Sequence, residues 1–414
     1  GRAMRLSSSV PLDRILRDAP TRDKVTLVIE RRGDELSIHL AIPLRGDVEE
    51  EAALITRTGQ NTVRVHYKVR CNLDRERTHL TGLVREAYRR GPLGAALRQS
   101  TVATLTPDNL RTLLMDVAIH GDGLHRRLFG FPDDLELRTG RPREFTDEIR
   151  FVLRDAFLRP RIIHVAGDAP LFPWTFLYQH TTPLDSLAPV TFDVAGFWGF
   201  RHEIQHEVEQ VATALALPPD PRIVAAVCPA VAVTEPDHPL RRQGTEFVDN
   251  VVDLRRELRE FGADCLYFFG HASHSTPPVP DTSKISLHGV PLSVTTLGQG
   301  GGPRFLREPV LVFLNGCGTG DLREWSEDTF IGYLVHRGDH RLCCVTTAAE
   351  VPIGFAGAFA REFWQRFLVA GRPLGAALLA TRRALLAAHN NPLGLLYEVI
   401  GQVDTHLRSP EESR

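Results

Sequence analysis

Residues 310–317 read VLVFLNGC: five apolar residues, then Asn315, Gly316 and Cys317. A continuous apolar run too short for a helix is the pattern of a strand buried on both faces. Three further runs of this kind are residues 222–228 (RIVAAVC), 265–269 (CLYFF) and 341–346 (RLCCVT). Helical periodicity lies between and after them, at about 243–261, 328–337, 354–370 and 373–389. Buried strands alternating with helices predict an α/β fold with a mostly parallel sheet covered on both faces.

In such a sheet, functional groups collect beyond the carboxyl ends of the strands. His271 comes two residues after the run 265–269, and Cys317 three residues after the run 310–314. If those strands are neighbours, imidazole and thiol emerge at one edge. That pairing suits acyl transfer: the imidazole takes the thiol proton and later protonates the leaving amine. Gly316 and Gly318 flank the thiol without Cβ atoms, so a substrate backbone can approach closely. The backbone N–H of Cys317, with that of Ala272, would serve an oxyanion. From spacing alone the plainer reading, a turn cysteine and a strand-capping histidine, stays open.

Upstream the pattern differs. Residues 24–31 and 35–43 alternate apolar and polar around Arg32, Gly33 and Asp34, which predicts a hairpin with one face exposed. Residues 62–70 (TVRVHYKVR) make a third strand, and helices follow at about 76–90 and 107–128. Further on, 147–158 reads as a helix, 162–165 as a short strand and 200–216 as an amphipathic helix.

Composition narrows the function classes. The formal net charge is −2, which gives no global electrostatic case for nucleic acid. No apolar run approaches the ~20 residues of a membrane-spanning helix. No secretory signal opens the chain, and Gly1-Arg2-Ala3 ahead of Met4 reads as an appended leftover. The six cysteines form no C-x-x-C pair, so metal-ribbon and thioredoxin readings have no support. Cys228, Cys265, Cys343 and Cys344 sit in apolar runs as small hydrophobes, whereas Cys317 has glycine neighbours. The expected setting is a reducing cytoplasm, with no cofactor.

One rival motif stands out. His202, Glu203 and His206 fit H-E-x-x-H, two zinc ligands one helical turn apart with a glutamate base. No third ligand follows at a recognisable spacing, and on an amphipathic helix the histidines can sit on the solvated face.

The segments LYFFGHAS (266–273) and LVFLNGCGTG (311–320) resemble the histidine and cysteine boxes of the CHAT family, a branch of the caspase, separase and gingipain superfamily. IIHVAGDAPLFPW (162–174) is similar to the family's segment ahead of its first half-sheet, and ISLHGVPL (285–292) to its hairpin between the boxes. Residues 359–364 and 373–383 resemble its C-terminal helix pair. The likeness covers roughly 140–405. Two departures exist: the family often has His-Gly where this chain has His271-Ala272, and a Trp and an Asp where it has residues 346–350, TTAAE.

The resemblance implies a caspase-like three-layer α/β/α sandwich preceded by a smaller β-rich accessory segment. The expected division is 1–106 accessory, 107–220 non-catalytic half and 221–414 catalytic half. It implies a cysteine endopeptidase with nucleophile Cys317, general base and acid His271, and Glu350 as a candidate for the S1 rim, where a solvated loop carboxylate is the plainer reading. Its implied partner is a dedicated protein substrate in a bacterial or antiviral defence or programmed-death system, a gasdermin-like pore-forming effector being one example, with an activating partner or ligand open. The other readings are a catalytically silent interaction module and the zinc peptidase.

Overall fold

The computed structural model describes residues 24–43, 62–89, 91–97, 99, 101–130, 153–154, 156–167, 172–179, 193–207, 215–227, 236–273, 284–287, 290–293, 306–316 and 342–409. The chain divides into two compact units, Gly1–Leu80 with Leu114–Glu207, and Thr81–Leu113 with Val208–Arg414. Both belong to the α/β class.

In the first unit, strands β1 (Lys24–Arg32), β2 (Glu35–Pro43), β3 (Thr62–Arg70), β4 (Ile162–Gly167) and β5 (Glu203–His206) pair in the order β5-β4-β1-β2-β3. The first three in that order are parallel and the last two add antiparallel. The β1–β2 turn is two residues long, and Gly33 holds φ +64°, the left-handed conformation that such a turn demands. The expected exposed face does not materialise. β2 is buried at every residue except its two ends, and its polar residues Ser37 and His39 are buried with the rest. Only β3 shows the half-buried alternation.

Two helices, α1 (Leu73–Arg89) and α3 (Pro107–Phe129), with the short α2 (Gly91–Leu97) between them, fall where the periodicity put them; α2 was not foreseen. Tyr67 of β3 donates to the Leu128 carbonyl at 2.6 Å, tying sheet to helix. Gly121 lets the backbone at Phe176 come close: a Cβ there would lie 2.3 Å from the Phe176 oxygen. Phe129, Phe157 and Trp198 stack into a core, with His125 of α3 edge-on to Phe157 and Trp198.

The second unit holds β6 (Ala216–Leu217), β7 (Ile223–Val227), β8 (Thr245–Val248), β9 (Ala263–Ser273), β10 (Lys284–Leu287), β11 (Val290–Ser293), β12 (Leu306–Gly316), β13 (Leu342–Thr347), β14 (Tyr397–Ile400) and β15 (His406–Leu407). Its main sheet runs β8-β7-β9-β12-β13-β14, parallel except for β14. The β10–β11 hairpin pairs with the last three residues of β9, and β6 with β15 form a separate short pair. Its described residues from 208 onward also form helices α4 (Val251–Glu260), α5 (Ile353–Trp364) and α6 (Leu374–His389). The helix expected from 243 begins only at 251. Residues 245–248 pair with β7 instead, and the Asn250 side chain then caps α4 by accepting from the Asp253 N–H at 2.9 Å. Leu254 and Leu258 carry the buried stripe of α4, and Gly262 at φ +66° follows its end. The α5 helix packs Phe363 and Trp364 against Phe313 of β12 and Trp364 against Tyr267 of β9. Such aromatic pairs add ~0.5–1.5 kcal/mol each beyond their buried area.

The expected helix 328–337 lies outside the described residues, as do 147–152 and 155 of the expected helix 147–158, whose described residues 153–154 and 156–158 are helical.

Candidate active site

Three neighbouring parallel strands, β9, β12 and β13, end on one edge of the second unit's sheet. Their register is tight at that edge: Asn315 pairs with Phe269 and Gly316 with Gly270. His271 is the next residue of β9, opposite Ser286 of β10, and Ala272 is opposite Ile285. Gly316 is the last residue of β12. Cys317 and Gly318, which follow it, lie outside the described residues, and the His271 side chain is likewise not described. The backbone therefore brings Gly316 beside the residue preceding His271, from strands 46 positions apart in sequence.

Below this edge is a buried polar cluster. Asn315 is fully buried. Its Nδ2 donates to the Ala356 carbonyl of α5 at 2.9 Å and to Tyr267 Oη of β9 at 3.1 Å. Its Oδ1 accepts from Tyr397 Oη of β14 at 2.7 Å. A carbonyl can only accept, so the Ala356 contact fixes which way the amide faces. Tyr267 and Tyr397 are buried, burial pushes the Tyr267 phenol well above its usual range, and the Tyr397 ring lies flat on Phe359 at 3.6 Å. These three residues carry little sequence signal. What there is comes from a lone amide closing an apolar strand, since a buried polar group demands partners.

The four described thiols are unsuited to nucleophilic work. Cys71, Cys265, Cys343 and Cys344 are free and buried. Burial raises all four, Cys343 to about 12, because a thiolate is costly away from water. Cys228 lies outside the described residues.

Glu350 follows β13 by three residues and is half-exposed. Arg89 of α1 donates to its carboxylate at 3.3 Å. Exposed pairs of this kind hold loosely, so the carboxylate stays available to solvent.

The zinc reading needs correction. Residues 208–214 of the expected helix 200–216 lie outside the described residues; at its start the chain makes a single turn, Trp198–Arg201, followed by strand β5, so His202 and His206 are not one helical turn apart. At ~3.3 Å per strand residue, ligands four apart are too far separated to share one ion. Pairing with β4 overrides the amphipathic pattern. His202 is fully buried, its Nδ1 receives the Arg161 N–H at 3.2 Å, and its Nε2 is 3.0 Å from the Phe157 carbonyl. Burial, then Arg201, holds its pKa well below the ordinary value. Among the described residues no group of three His, Cys, Asp or Glu is arranged to hold a metal, and no helix is long and apolar enough to cross a membrane.

No family model matches the chain. A curated relative, a probable protease of Vitiosangium sp. (strain GDMCC 1.1324), is 28% identical over 291 residues, covering 62% of this chain and 35% of the relative. The chain thus spans about a third of the length of the relative it matches. Among solved structures, one described as a protease aligns with a TM-score of 0.38 and 10% identity, over 63% of this chain and 69% of the other.

Proposed function

We propose that the chain is a cysteine endopeptidase of the CHAT type, with Cys317 as nucleophile and His271 as general base and acid. The observation that carries this reading is the arrangement of strand ends: His271, Gly316 leading to Cys317, and Glu350 belong to the carboxyl ends of three adjacent parallel strands. Two further supports are the burial of the four described thiols and the likeness to a probable protease.

The chemistry balances without a cofactor. The Cys317 thiol gives its proton to the His271 imidazole as sulfur attacks the scissile carbonyl. The N–H groups of Cys317 and Ala272 hold the oxyanion, and Gly316 and Gly318 admit the substrate backbone. The C–N bond breaks as the imidazolium protonates the amine, leaving a thioester. Water then attacks that thioester, passing a proton through His271, and the acid and free thiol are released. Glu350 lines the S1 side and favours a basic P1 residue. In this reading residues 221–414 form the catalytic half, 107–220 the non-catalytic half and 1–106 an accessory segment. The substrate is a dedicated protein, a gasdermin-like pore-forming effector fitting the family's bacterial defence roles, with a partner or ligand switching the enzyme on. The working place is the cytoplasm.

The test is a cleavage assay on proteins encoded beside this one, comparing wild type with Cys317→Ala and reading cut sites by mass spectrometry. A discrete cut lost by about 10³-fold or more in the variant supports the reading. Absence of both cutting and Cys317 labelling by a peptide electrophile would sink it.

A further inference from the structure

We infer that Asn315 is a positioning residue: its buried amide, clamped by Tyr267, Tyr397 and the Ala356 carbonyl, fixes the end of β12 from which Cys317 leaves the sheet. This rests on the cysteine-peptidase reading of Cys317 and His271.

The geometry has three parts. First, Asn315 lies two residues before Cys317 in sequence, and its strand position is paired with Phe269, two before His271. Any shift of the Asn315 backbone therefore changes where both chains leave the sheet relative to each other. Second, the amide touches three different elements: β9 through Tyr267, β14 through Tyr397 and α5 through Ala356. Strand pairing alone joins β12 only to β9 and β13. The side chain adds the second neighbour on one side and the helix layer, so the strand end is fixed across the sheet and normal to it. Third, both phenols are themselves held. Tyr397 is stacked on Phe359 at an interplanar angle of 3°, and Tyr267 stands edge-on to Trp364 at 85°. The clamp is neutral throughout, so it keeps its grip over the whole range in which a thiol–imidazole pair titrates.

A nucleophile's pKa responds to such placement. The imidazole lowers a thiol's pKa only from close range, and each unit of pKa changes the thiolate fraction about tenfold at pH well below the midpoint. Loosening the strand end should therefore appear in the thiol's titration rather than in substrate affinity.

The experiment measures the rate of Cys317 alkylation by iodoacetamide against pH, by peptide mass spectrometry on the full chain. It compares wild type, His271→Ala, Tyr397→Phe, Asn315→Asp and a remote control, Thr405→Val, which removes another buried hydrogen bond of the same unit. Tyr397→Phe takes one hydroxyl from the clamp without changing ring volume. The expected result is a wild-type midpoint below the ~8.5 of a free thiol. His271→Ala raises it to about that value, and Tyr397→Phe raises it part of the way, lowering the pH 7 rate about fivefold, on the same tenfold-per-unit relation. Asn315→Asp sets a carboxyl oxygen against the Ala356 carbonyl and moves it at least as far. Thr405→Val, at a comparable loss of melting temperature, leaves it in place. If His271→Ala moves the midpoint but Tyr397→Phe and Asn315→Asp do not, the positioning inference alone is overturned. It is overturned equally if Thr405→Val moves the midpoint as far, since the effect is then general loosening. If wild type and His271→Ala share one profile, the dyad reading fails and takes this inference with it.

Discussion

Each unit holds a polar cluster, half-exposed in the first and buried in the second, and the two are built from opposite materials. In the first unit, on the residues of α1 and α3 that belong to it, the groups are ionic. Glu76 accepts from Arg127 at 2.7 Å and pairs with His120 Nε2 at 2.6 Å, while His79 lies against His120. At the end of β12 in the second unit the groups are an amide, two phenols and a carbonyl, none of which ionises near neutrality. An ionic cluster binds strongly while its charges persist and answers to pH. A neutral one gives less per contact but holds its geometry across the pH range in which the proposed thiol–imidazole pair would titrate.

The largest effect that would break this contrast is acid. His125 and His202 in the first unit are buried and held below the usual imidazole value, His125 to about 3, chiefly by loss of solvent and then by Arg201. Their unfolded forms take up protons from about pH 6.5 downward while the folded forms do not. Stability is therefore fully present above ~6.5 and falls by about 1.4 kcal/mol per pH unit for each histidine until its folded pKa is reached. Between pH 7 and pH 5 the first unit should lose roughly 4 kcal/mol from the two together. Hydrogen exchange, corrected for intrinsic rates, should show α3 and β5 opening before β9 and β12. His238 of the second unit, lowered to about 4, contributes one such term there. Simultaneous opening of both sheets would dissolve the contrast, and His125→Phe should flatten the first unit's slope.

Next in size is Glu76→Gln, expected to cost about 2 kcal/mol at pH 7, since hydrogen bonds to charged groups are worth ~1.5–3. The folded carboxyl is held low by Arg127 and His120 against burial, which pushes it up. Its stabilisation is present above the unfolded value of ~4.3 and is lost as pH falls through the lower folded value. Urea midpoints of wild type and variant should therefore converge in strong acid. For Tyr397→Phe the corresponding loss is about 1 kcal/mol. That loss should be equal at pH 7 and pH 5, and a pH-dependent loss would mean the clamp is not neutral. Smallest is Arg89→Ala, which removes an exposed partner of Glu350 and should change stability by under ~0.5 kcal/mol. A rise in apparent affinity for substrates with basic P1 residues, measured by KM, would then place Glu350 at the substrate.

Long signals were more legible in the sequence than short ones. The β1, β2 and β3 strands, the helices α1, α3, α5 and α6, and the apolar strands β7, β9, β12 and β13 announce themselves through nine-residue alternation, 3.6-residue periodicity or continuous apolar runs. Two four-residue strands, β5 and β8, escape the sequence for a common reason. Residues 203–206 and 245–248 carry no local strand pattern, and the partners that make them strands, β4 and β7, lie 41 and 22 positions upstream in register. At β5 this tertiary pairing removed the helix on which the zinc reading depended. At β14, four residues are too few to read. The backbone of the site was legible because His271 and Gly316 stand directly at the ends of conspicuous apolar runs. The Asn315 clamp was not, because Tyr267 and Tyr397 come from 48 and 82 residues away.

At Gly270 the β9 strand makes its last pairing with β12, and at His271 its first with β10. The histidine thus stands where one strand changes neighbours. Its backbone answers to a short hairpin, β10–β11, while the strand beneath it answers to the core. On the dyad reading proposed above, substitutions in that hairpin would re-aim the imidazole without touching the strands of the core sheet. Descendants of this sequence are thereby free to adjust reactivity and keep the same scaffold.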